Sequence, residues 1–315
     1  MRRRASIVVV SLVAWVAGSA LGGLGPQIQA HAASSGIAIG KAHAGYTPSL
    51  TGTKPVVVLV VGSGARQGDD VMHSLADSIH LLFLNSAKSH ATMVGIPRDS
   101  YVSISGGGTN KINSALVFGG PDGLVSTIES VTGVHIDYWA ITTFWGLINM
   151  INRLGGVPID IPFSMHDSYS GANFEPGKQH LTGEQAPAFA RDRHSVASGD
   201  FGRSEDGGRL LLALLAQFQK EYKADPSRVL AWISAGLTNS FTGMPMSEIM
   251  GLAFAASKIP VKNVQNVVLP GNAHTVGSLS VVTLDDAWKA RIFADVKPDG
   301  ILSKANVPPS PTANQ

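Results

Sequence analysis

Apolar runs of two kinds alternate along residues 55–303. Short runs rich in β-branched residues are typical of buried strands, and longer apolar stretches opened by proline or closed by glycine are typical of helices. The short runs lie at residues 56–61, 78–84, 91–96, 101–105, 138–141 and 264–269. The longer stretches lie at residues 121–132, 143–154, 209–222, 227–237, 246–257 and 285–293. Their alternation predicts an α/β fold in which helices cover a mixed central β-sheet.

The N-terminal segment has the pattern of a membrane anchor. Arginines at positions 2–4 precede an uncharged, mostly apolar stretch at residues 7–24, which approaches the length of about 20 residues that crosses a bilayer. The positive charges hold this end in the cytoplasm and export the rest of the chain. A cleaved signal peptide with Ala30-His31-Ala32 as its processing site is the alternative. We expect a cytoplasmic basic tip and transmembrane signal-anchor at residues 1–24.

Two further segments lack the pattern of a packed core. Residues 25–54 are small and polar and are interrupted by glycine and proline, which predicts a flexible stalk. Residues 304–315 have the sequence KANVPPSPTANQ, which predicts a disordered tail. The sequence therefore predicts a single-pass protein of the cell membrane, with an extracytoplasmic domain at residues 55–303.

The composition restricts the available chemistry. The 315 residues include 24 Lys+Arg, 22 Asp+Glu and no cysteine, and their formal net charge is +2. The lack of cysteine excludes disulfides, thiolate metal sites, iron–sulfur clusters and cysteine nucleophiles. The basic residues are not gathered into one run, so we expect no nucleic-acid partner. A glycine pattern at residues 62–68 is similar to a dinucleotide fingerprint, but the next strand begins too soon for the helix that such a site needs.

One acid and four arginines occupy positions where strands are expected to meet loops. Asp77 precedes a strand, Arg98 follows one, and Arg191 and Arg193 alternate, so that a strand would direct both guanidinium groups to one face. Arg203 follows ten residues later. Several guanidinium groups suit a doubly charged anion such as pyrophosphate. An acid among them suits a divalent cation that bridges phosphate oxygens. Taken alone, each group is more often part of a solvated surface or a turn.

Seven short segments extend this pattern in a fixed order between about residues 56 and 209. They are ADSI, GIPRDSYVSI, KINSAL-FGGP, VTGVHIDYWA, LGGVPIDIP, F-PGKQHLTGEQAPAFARDRH and GDFGRS. Together they resemble the LytR-CpsA-Psr (LCP) family, and the segment VVLPGNAHTVGSLSVVTLDD resembles the C-terminal part of actinobacterial members. The resemblance implies a membrane-anchored, extracytoplasmic α/β protein. Such a protein binds a polyprenyl (pyro)phosphate lipid and, with Mg²⁺, transfers its glycopolymer phosphate to peptidoglycan.

The resemblance also implies roles for individual residues. Asp77 matches an acid that binds the metal and supports transfer, and Arg98 matches an arginine that contacts phosphate. Arg191, Arg193 and Arg203 match the arginines that bind the pyrophosphate. Positively charged positions near the same pocket are matched by Arg66 and Lys111. A prenyl chain needs an apolar tunnel, and candidates to line it are the segments at residues 144–145 and 209–218.

Two positions depart from the family pattern. Gly64 stands where the pattern Gly-x-Asp-x-Arg has a second metal-site acid, and Gly207 stands where the family has a glutamine. Losing one of two oxygen ligands weakens Mg²⁺ binding unless Asp69, Asp70 or water takes its place. Three functions therefore remain open: a phosphotransferase, a non-catalytic binder of polyprenyl phosphate, and a pyrophosphatase. For the phosphotransferase, we favour Asp77 over Asp99 as the base.

Overall fold

The computed structural model describes residues 36–196, 198–237 and 242–313. The predicted cytoplasmic tip and signal-anchor at residues 1–24 lie outside the described residues, as does the start of the predicted stalk. Within the described ranges, no helix is both long enough and apolar enough to cross a membrane.

Strands and helices alternate through most of the described chain. The strands are β1 (Ile37–Lys41), β2 (Val56–Ser63), β3 (Ala76–Asn85), β4 (His90–Gly95), β5 (Tyr101–Ile104), β6 (Gly108–Lys111), β7 (Tyr138–Thr143), β8 (Val157–Ile161), β9 (Met165–Asp167), β10 (Ala172–Phe174), β11 (Gly177–Leu181), β12 (Val264–Val268), β13 (Gly271–Val276) and β14 (Leu279–Leu284). The helices are α1 (Ala115–Thr132), α2 (Phe144–Arg153), α3 (Gln185–Arg191), α4 (Asp200–Ala224), α5 (Arg228–Leu237), α6 (Met246–Ser257) and α7 (Asp286–Asp299).

Six strands form the central sheet in the order β1-β7-β2-β3-β4-β12. The pairs β2–β7 and β4–β12 are parallel, and the other three pairs are antiparallel. The predicted mixed α/β fold is therefore confirmed. Strand β3 lies antiparallel between β2 and β4, so β2 and β4 run in the same direction. Their parallel partners β7 and β12 run the same way, and all four strands therefore end on the same side of the sheet. The loops that follow these four strands meet there.

Helices bury both faces of this sheet. Leu59, Leu81 and Phe83 face an apolar cluster that includes residues of α1 and α7. Their neighbours in the strands pack on the opposite face, where Val56 and Leu84 belong to a cluster with Ile249 of α6. A strand buried on both faces is apolar at successive positions, because each face contributes every second residue. This explains why the central strands occur as continuous apolar runs in the sequence.

Part of the predicted flexible stalk is a β-strand, β1. Ile37–Lys41 lies within residues 25–54, which we expected to be flexible, but it pairs antiparallel with β7 at the edge of the sheet. Its inward positions are the small residues Ala38 and Gly40, and a Cβ at Gly40 would collide with the ring of Trp139. Small residues give no hydrophobic periodicity, so the sequence pattern did not indicate a strand here.

The C-terminal segment is likewise ordered where we predicted disorder. Ser310 and Thr312 donate hydrogen bonds from their hydroxyl groups to the buried carboxylate of Glu205, at 2.7 and 2.8 Å. Arg209 donates to the Thr312 hydroxyl oxygen at 2.8 Å. Polar contacts with α4 hold this segment, and a search for apolar patterns does not detect contacts of that kind.

Helix α4 begins nine residues before the predicted start at residue 209. Gly207 and Gly208 lower the helix propensity just ahead of that position, which explains the late prediction. The structure requires glycine at position 208, because a Cβ there would collide with Asn266 of β12. Helix α4 therefore packs closely against the sheet at Gly208. This packing brings the first two turns of α4 into the candidate site.

Candidate active site

A cavity of about 300 Å³ opens at the edge of the sheet where β2 and β7 end. Its lining combines arginines with apolar side chains. The arginines are Arg98, Arg191, Arg193 and Arg203. The apolar side chains are Val60, Val61, Phe144, Leu147, Pro187, Ala190, Leu210 and Leu211. Such a cavity can hold a molecule that is anionic at one end and apolar at the other.

Asp77 reaches this cavity because β3 is irregular at that residue. In the pairing of β2 with β3, Gly62 lies opposite Ser78 and Ser63 lies opposite Ala76, so Asp77 is the extra residue of a bulge. A bulge redirects a side chain that would otherwise follow the alternation of the strand. The Asp77 carboxylate therefore lies on the cavity, next to Arg98.

Arg98 follows β4 and is held by the turn after Pro97. The Ser100 N–H and hydroxyl both donate to the Pro97 carbonyl, at 3.0 and 2.6 Å. The Arg98 guanidinium then forms a short ion pair with the Asp77 carboxylate, and its Nε lies 3.7 Å from Asp200 Oδ1. The acid and the arginine that the sequence placed at neighbouring strand ends are therefore in direct contact.

Arg203 is the most buried arginine of the cavity lining. It lies in the first turn of α4, and its Nη2 is 2.5 Å from Asp200 Oδ1. Burial lowers the pKa of Arg203 to about 10, and the Asp200 carboxylate acts in the opposite direction. The guanidinium consequently remains charged at neutral pH. A cation that is largely removed from water attracts an anion more strongly than an exposed one.

Arg191 and Arg193 lie on the cavity but not on the strand we predicted. Arg191 is the last residue of α3, and Arg193 lies in the segment that follows. The Arg191 guanidinium stacks over the Phe144 ring at 4.5 Å. Neither arginine forms an ion pair with any carboxylate of the described residues. Both cations are exposed and are thus available to an anionic ligand.

The other two predicted cations lie elsewhere. Within the described part of the chain, neither Arg66 nor Lys111 lines the cavity. Lys111 Nζ is 3.0 Å from Asp99 Oδ1, so these two charges neutralise each other. Arg66 is exposed in the turn after β2, where its N–H donates to Asp69 Oδ2 at 2.8 Å. Asp99, our second candidate for the base, also lies outside the cavity lining.

A serine and a histidine of the site escaped the sequence analysis. His80 Nε2 lies 2.9 Å from the Ser204 carbonyl, which only accepts hydrogen bonds, so this nitrogen carries the proton. His80 Nδ1 can then accept the Ser78 hydroxyl proton, at 3.2 Å. Burial lowers the pKa of His80 to about 4, so the ring is neutral at neutral pH. Ser78 lines the cavity, and its oxygen can accept a hydrogen bond there.

Asp167 and His194 form a second unforeseen pair on the cavity. Asp167 ends β9, and its Oδ1 lies 3.0 Å from His194 Nδ1. Burial would raise the pKa of Asp167, but hydrogen bonds from His194 and from the Tyr169 and Arg193 N–H groups bring it well below its usual value. The carboxylate is therefore ionised and orients the imidazole. The Nε2 atom of His194 is left to accept a proton.

One family matches this chain over most of its length. The model of the LytR_cpsA_psr family matches residues 27–297. The chain belongs to the LytR-CpsA-Psr family. The resemblance inferred from the seven short segments is thereby confirmed.

Relatives and solved structures of the LCP family agree with this assignment. The teichoic acid–peptidoglycan transferase TagU of Bacillus cereus (strain AH820) is 32% identical over 226 residues, which cover 70% of this chain and 71% of TagU. The crystal structure of B. subtilis TagV superposes with a TM-score of 0.68 at 26% identity, covering 79% of this chain and 98% of TagV. TagT with bound octaprenyl pyrophosphate lipid has a TM-score of 0.61 at 19% identity, covering 82% and 95% of the two chains, and supports the fold.

The two departures from the LCP pattern both adjoin the cavity. A Cβ at Gly64 would collide with Oδ2 of Asp77, so an acid at this position would lie beside a shifted Asp77 carboxylate. Gly207 lines the cavity, and a Cβ there would lie 3.1 Å from Cε1 of His80. A side chain at either position would therefore lie at the site. Relative to the pattern that the resemblance implies, this chain lacks a second carboxylate at position 64 and an amide at position 207.

Proposed function

We propose that this LCP protein transfers a glycopolymer phosphate from a polyprenyl-pyrophosphate carrier to peptidoglycan. The observation that carries the proposal is the cavity, whose lining combines four arginines with apolar side chains. Guanidinium groups suit the pyrophosphate, and the apolar side chains of the lining suit the prenyl chain. Support also comes from TagU, which is named as a transferase of teichoic acid to peptidoglycan, and from TagT, which was crystallised with octaprenyl pyrophosphate.

The proposed reaction is a phosphoryl transfer. A hydroxyl oxygen of peptidoglycan bonds to the phosphorus that carries the glycopolymer, and the bond from that phosphorus to polyprenyl phosphate breaks. Arg98 and Arg203 stabilise the charge that moves onto the departing polyprenyl phosphate. The hydroxyl proton goes to a base on the cavity, and Asp77 and His194 are the candidates on its lining. The other carboxylate of the lining, Asp167, is a weaker base because it already accepts hydrogen bonds from His194 and from backbone N–H groups.

Magnesium is the cofactor that we propose for this reaction. Proteins commonly hold Mg²⁺ with one or two carboxylates, and water and substrate phosphates supply the remaining oxygens. Asp77 offers one carboxylate on the cavity, with its Oδ1 at Arg98 and its Oδ2 directed toward Gly64. The residues therefore fit an ion held by a single carboxylate. When bound, the ion supplies positive charge at the phosphate oxygens.

We expect Gly64→Asp to lower the dissociation constant for Mg²⁺ about tenfold, because ligand charge and ligand number set the affinity of such sites. The backbone of Gly64 has no positive φ, so it accepts an L-residue. The new Cβ would collide with the end of the Asp77 side chain, which has to shift, and would lie 3.4 Å from the carbonyl oxygen of Leu75. Isothermal titration calorimetry with Mg²⁺ measures the effect without any substrate.

Gly64→Asn is the matched control, since it adds a side chain of the same size without the charge. We expect its Mg²⁺ affinity to remain close to that of the natural protein. Equal affinities for Gly64→Asp and Gly64→Asn would contradict a metal position between residues 64 and 77.

The proposed location is the outer face of the cell membrane. The arginines at positions 2–4 and the apolar stretch at residues 7–24 support a single-pass anchor with the folded domain outside the cytoplasm. This location places the cavity next to both substrates, because the carrier lipid lies in the membrane and peptidoglycan lies beyond it.

The full-length chain in detergent, given a polyprenyl-pyrophosphoryl sugar with a labelled sugar phosphate, tests the proposal. We expect label to appear on peptidoglycan fragments and polyprenyl monophosphate to be released, and both to require the acceptor and Mg²⁺. The measurement is product formation over time, with and without peptidoglycan and with and without a chelator.

The same assay separates the two other functions. Release of polyprenyl monophosphate at an equal rate without peptidoglycan would identify a pyrophosphatase. Saturable binding of the lipid with no release under any condition would identify a non-catalytic binder, which the glycines at positions 64 and 207 favour. Either result would overturn the proposed transfer.

A further inference from the structure

A second group of chemically active side chains lies at the edge of the sheet opposite the cavity. His43 follows the end of β1, Glu129 lies in the last turn of α1, and His135 lies just before β7. One ligand atom from each of these residues lies within 4.8 Å of the others. The cavity lies at the far end of β7, beside Thr142 and Thr143, so the two sites are separated by the length of that strand.

The three side chains already converge on one oxygen atom. Glu129 Oε1 lies 2.9 Å from His43 Nε2 and 3.5 Å from His135 Nδ1. The same oxygen accepts the Ile136 N–H at 2.8 Å, which fixes the orientation of the carboxylate. The two imidazole rings are stacked, with centroids 4.4 Å apart. The side chains of His43 and His135 are 38% and 57% exposed, so an ion can reach them from solvent.

We propose that His43, Glu129 and His135 bind a zinc ion. Imidazole nitrogen and carboxylate oxygen are ordinary zinc ligands, and tetrahedral bonds of about 2.0–2.1 Å place neighbouring ligand atoms about 3.3 Å apart. The two separations from Glu129 Oε1, 2.9 and 3.5 Å, lie on either side of that value. Three protein ligands leave a fourth position for water. Because magnesium prefers oxygen ligands, this site is distinct in its chemistry from the one at Asp77.

Zinc at this position would fasten an edge strand to the body of the domain. Strand β1 pairs with β7 along one side, and His43 lies two residues beyond its end. The other two ligands belong to the end of α1 and to the segment that leads into β7. An ion held by all three segments binds only the folded protein, so zinc raises the temperature of thermal unfolding.

The experiment uses the full-length chain in detergent, prepared without a polyhistidine tag and freed of metal by a chelator. Isothermal titration calorimetry with Zn²⁺ is expected to give one site per chain. His43→Ala and His135→Ala are each expected to weaken binding at least about 100-fold, since loss of even an outer-shell partner costs 10–100-fold. His274→Ala, which removes an exposed histidine of β13, is the matched control and should leave the affinity unchanged.

Two further readouts compare each protein with and without added metal, so each variant serves as its own reference. Cobalt added in place of zinc is expected to give the intense visible absorption of a four-coordinate site in the natural protein and in His274→Ala, but not in His43→Ala. Zinc is expected to raise the unfolding temperature of the same two proteins only. Unchanged zinc affinity in both histidine variants would overturn the proposal. So would binding that never saturates, because the three residues would then form a hydrogen-bonded surface cluster only. None of these readouts requires transfer activity.

Discussion

Replacing Arg98 by alanine is expected to reduce the rate of glycopolymer transfer about 10²–10³-fold, the usual cost of removing one charge-stabilising donor from a reaction site. Arg98 contacts the carboxylate of Asp77, the proposed metal ligand. It also lies near Asp200, which pairs with the buried Arg203. In the proposed transfer, loss of Arg98 removes positive charge from the place where negative charge accumulates on the leaving phosphate. The transfer assay with labelled carrier measures this change as kcat.

Two matched variants sharpen the Arg98 experiment. Asp77→Asn keeps the size of the side chain but removes its charge, and it is expected to lower kcat to a similar extent. Arg66→Ala removes an exposed arginine outside the cavity and is expected to leave kcat within about twofold, because an exposed charge outside the site acts only weakly through water. A rate for Arg98→Ala close to that of Arg66→Ala would contradict the assignment of Arg98.

The positions of Asp77 and Arg98 at the ends of strands could be predicted from the sequence for a physical reason. Both residues adjoin strands whose apolar runs are unmistakable, and strands of known direction bring their ends to predictable edges of a sheet. Five of the six strands in the central sheet were predicted in this way. The bulge that directs Asp77 onto the cavity was not, because it depends on the register between β2 and β3.

Long-range contacts account for what the sequence did not reveal. His80 is oriented by the carbonyl of Ser204, which lies 124 residues away in the chain, and His194 is oriented by Asp167. Neither pair forms a motif of fixed spacing. Arg191 and Arg193 alternate in sequence, but the short helix that ends at Arg191 packs through Phe189 and has too few turns to display a clear period. Their meeting at the cavity follows from tertiary packing.

The second large expected effect is a loss of stability when the ion pair between Arg203 and Asp200 is broken. Both side chains are buried, at 9% and 6% exposure, and the separation of their charged atoms is 2.5 Å. Arg203→Met leaves the Asp200 carboxylate in a buried position where, among the described residues, the more distant Arg98 is the one remaining cation within ion-pair distance. We expect the free energy of unfolding to fall by about 3 kcal/mol, as found when one partner of a buried pair is removed. Urea unfolding monitored by circular dichroism measures this change.

A double variant separates the role of Arg203 in folding from its role at the site. Asp200→Asn combined with Arg203→Met removes the uncompensated charge, and it is expected to recover most of the lost stability. Binding of polyprenyl pyrophosphate should remain weak in the double variant, because the buried cation that faces the cavity is still absent. If stability and lipid binding recovered together, Arg203 would serve only to neutralise Asp200. Recovery of stability alone would show that the same guanidinium both completes the fold of α4 and holds the pyrophosphate.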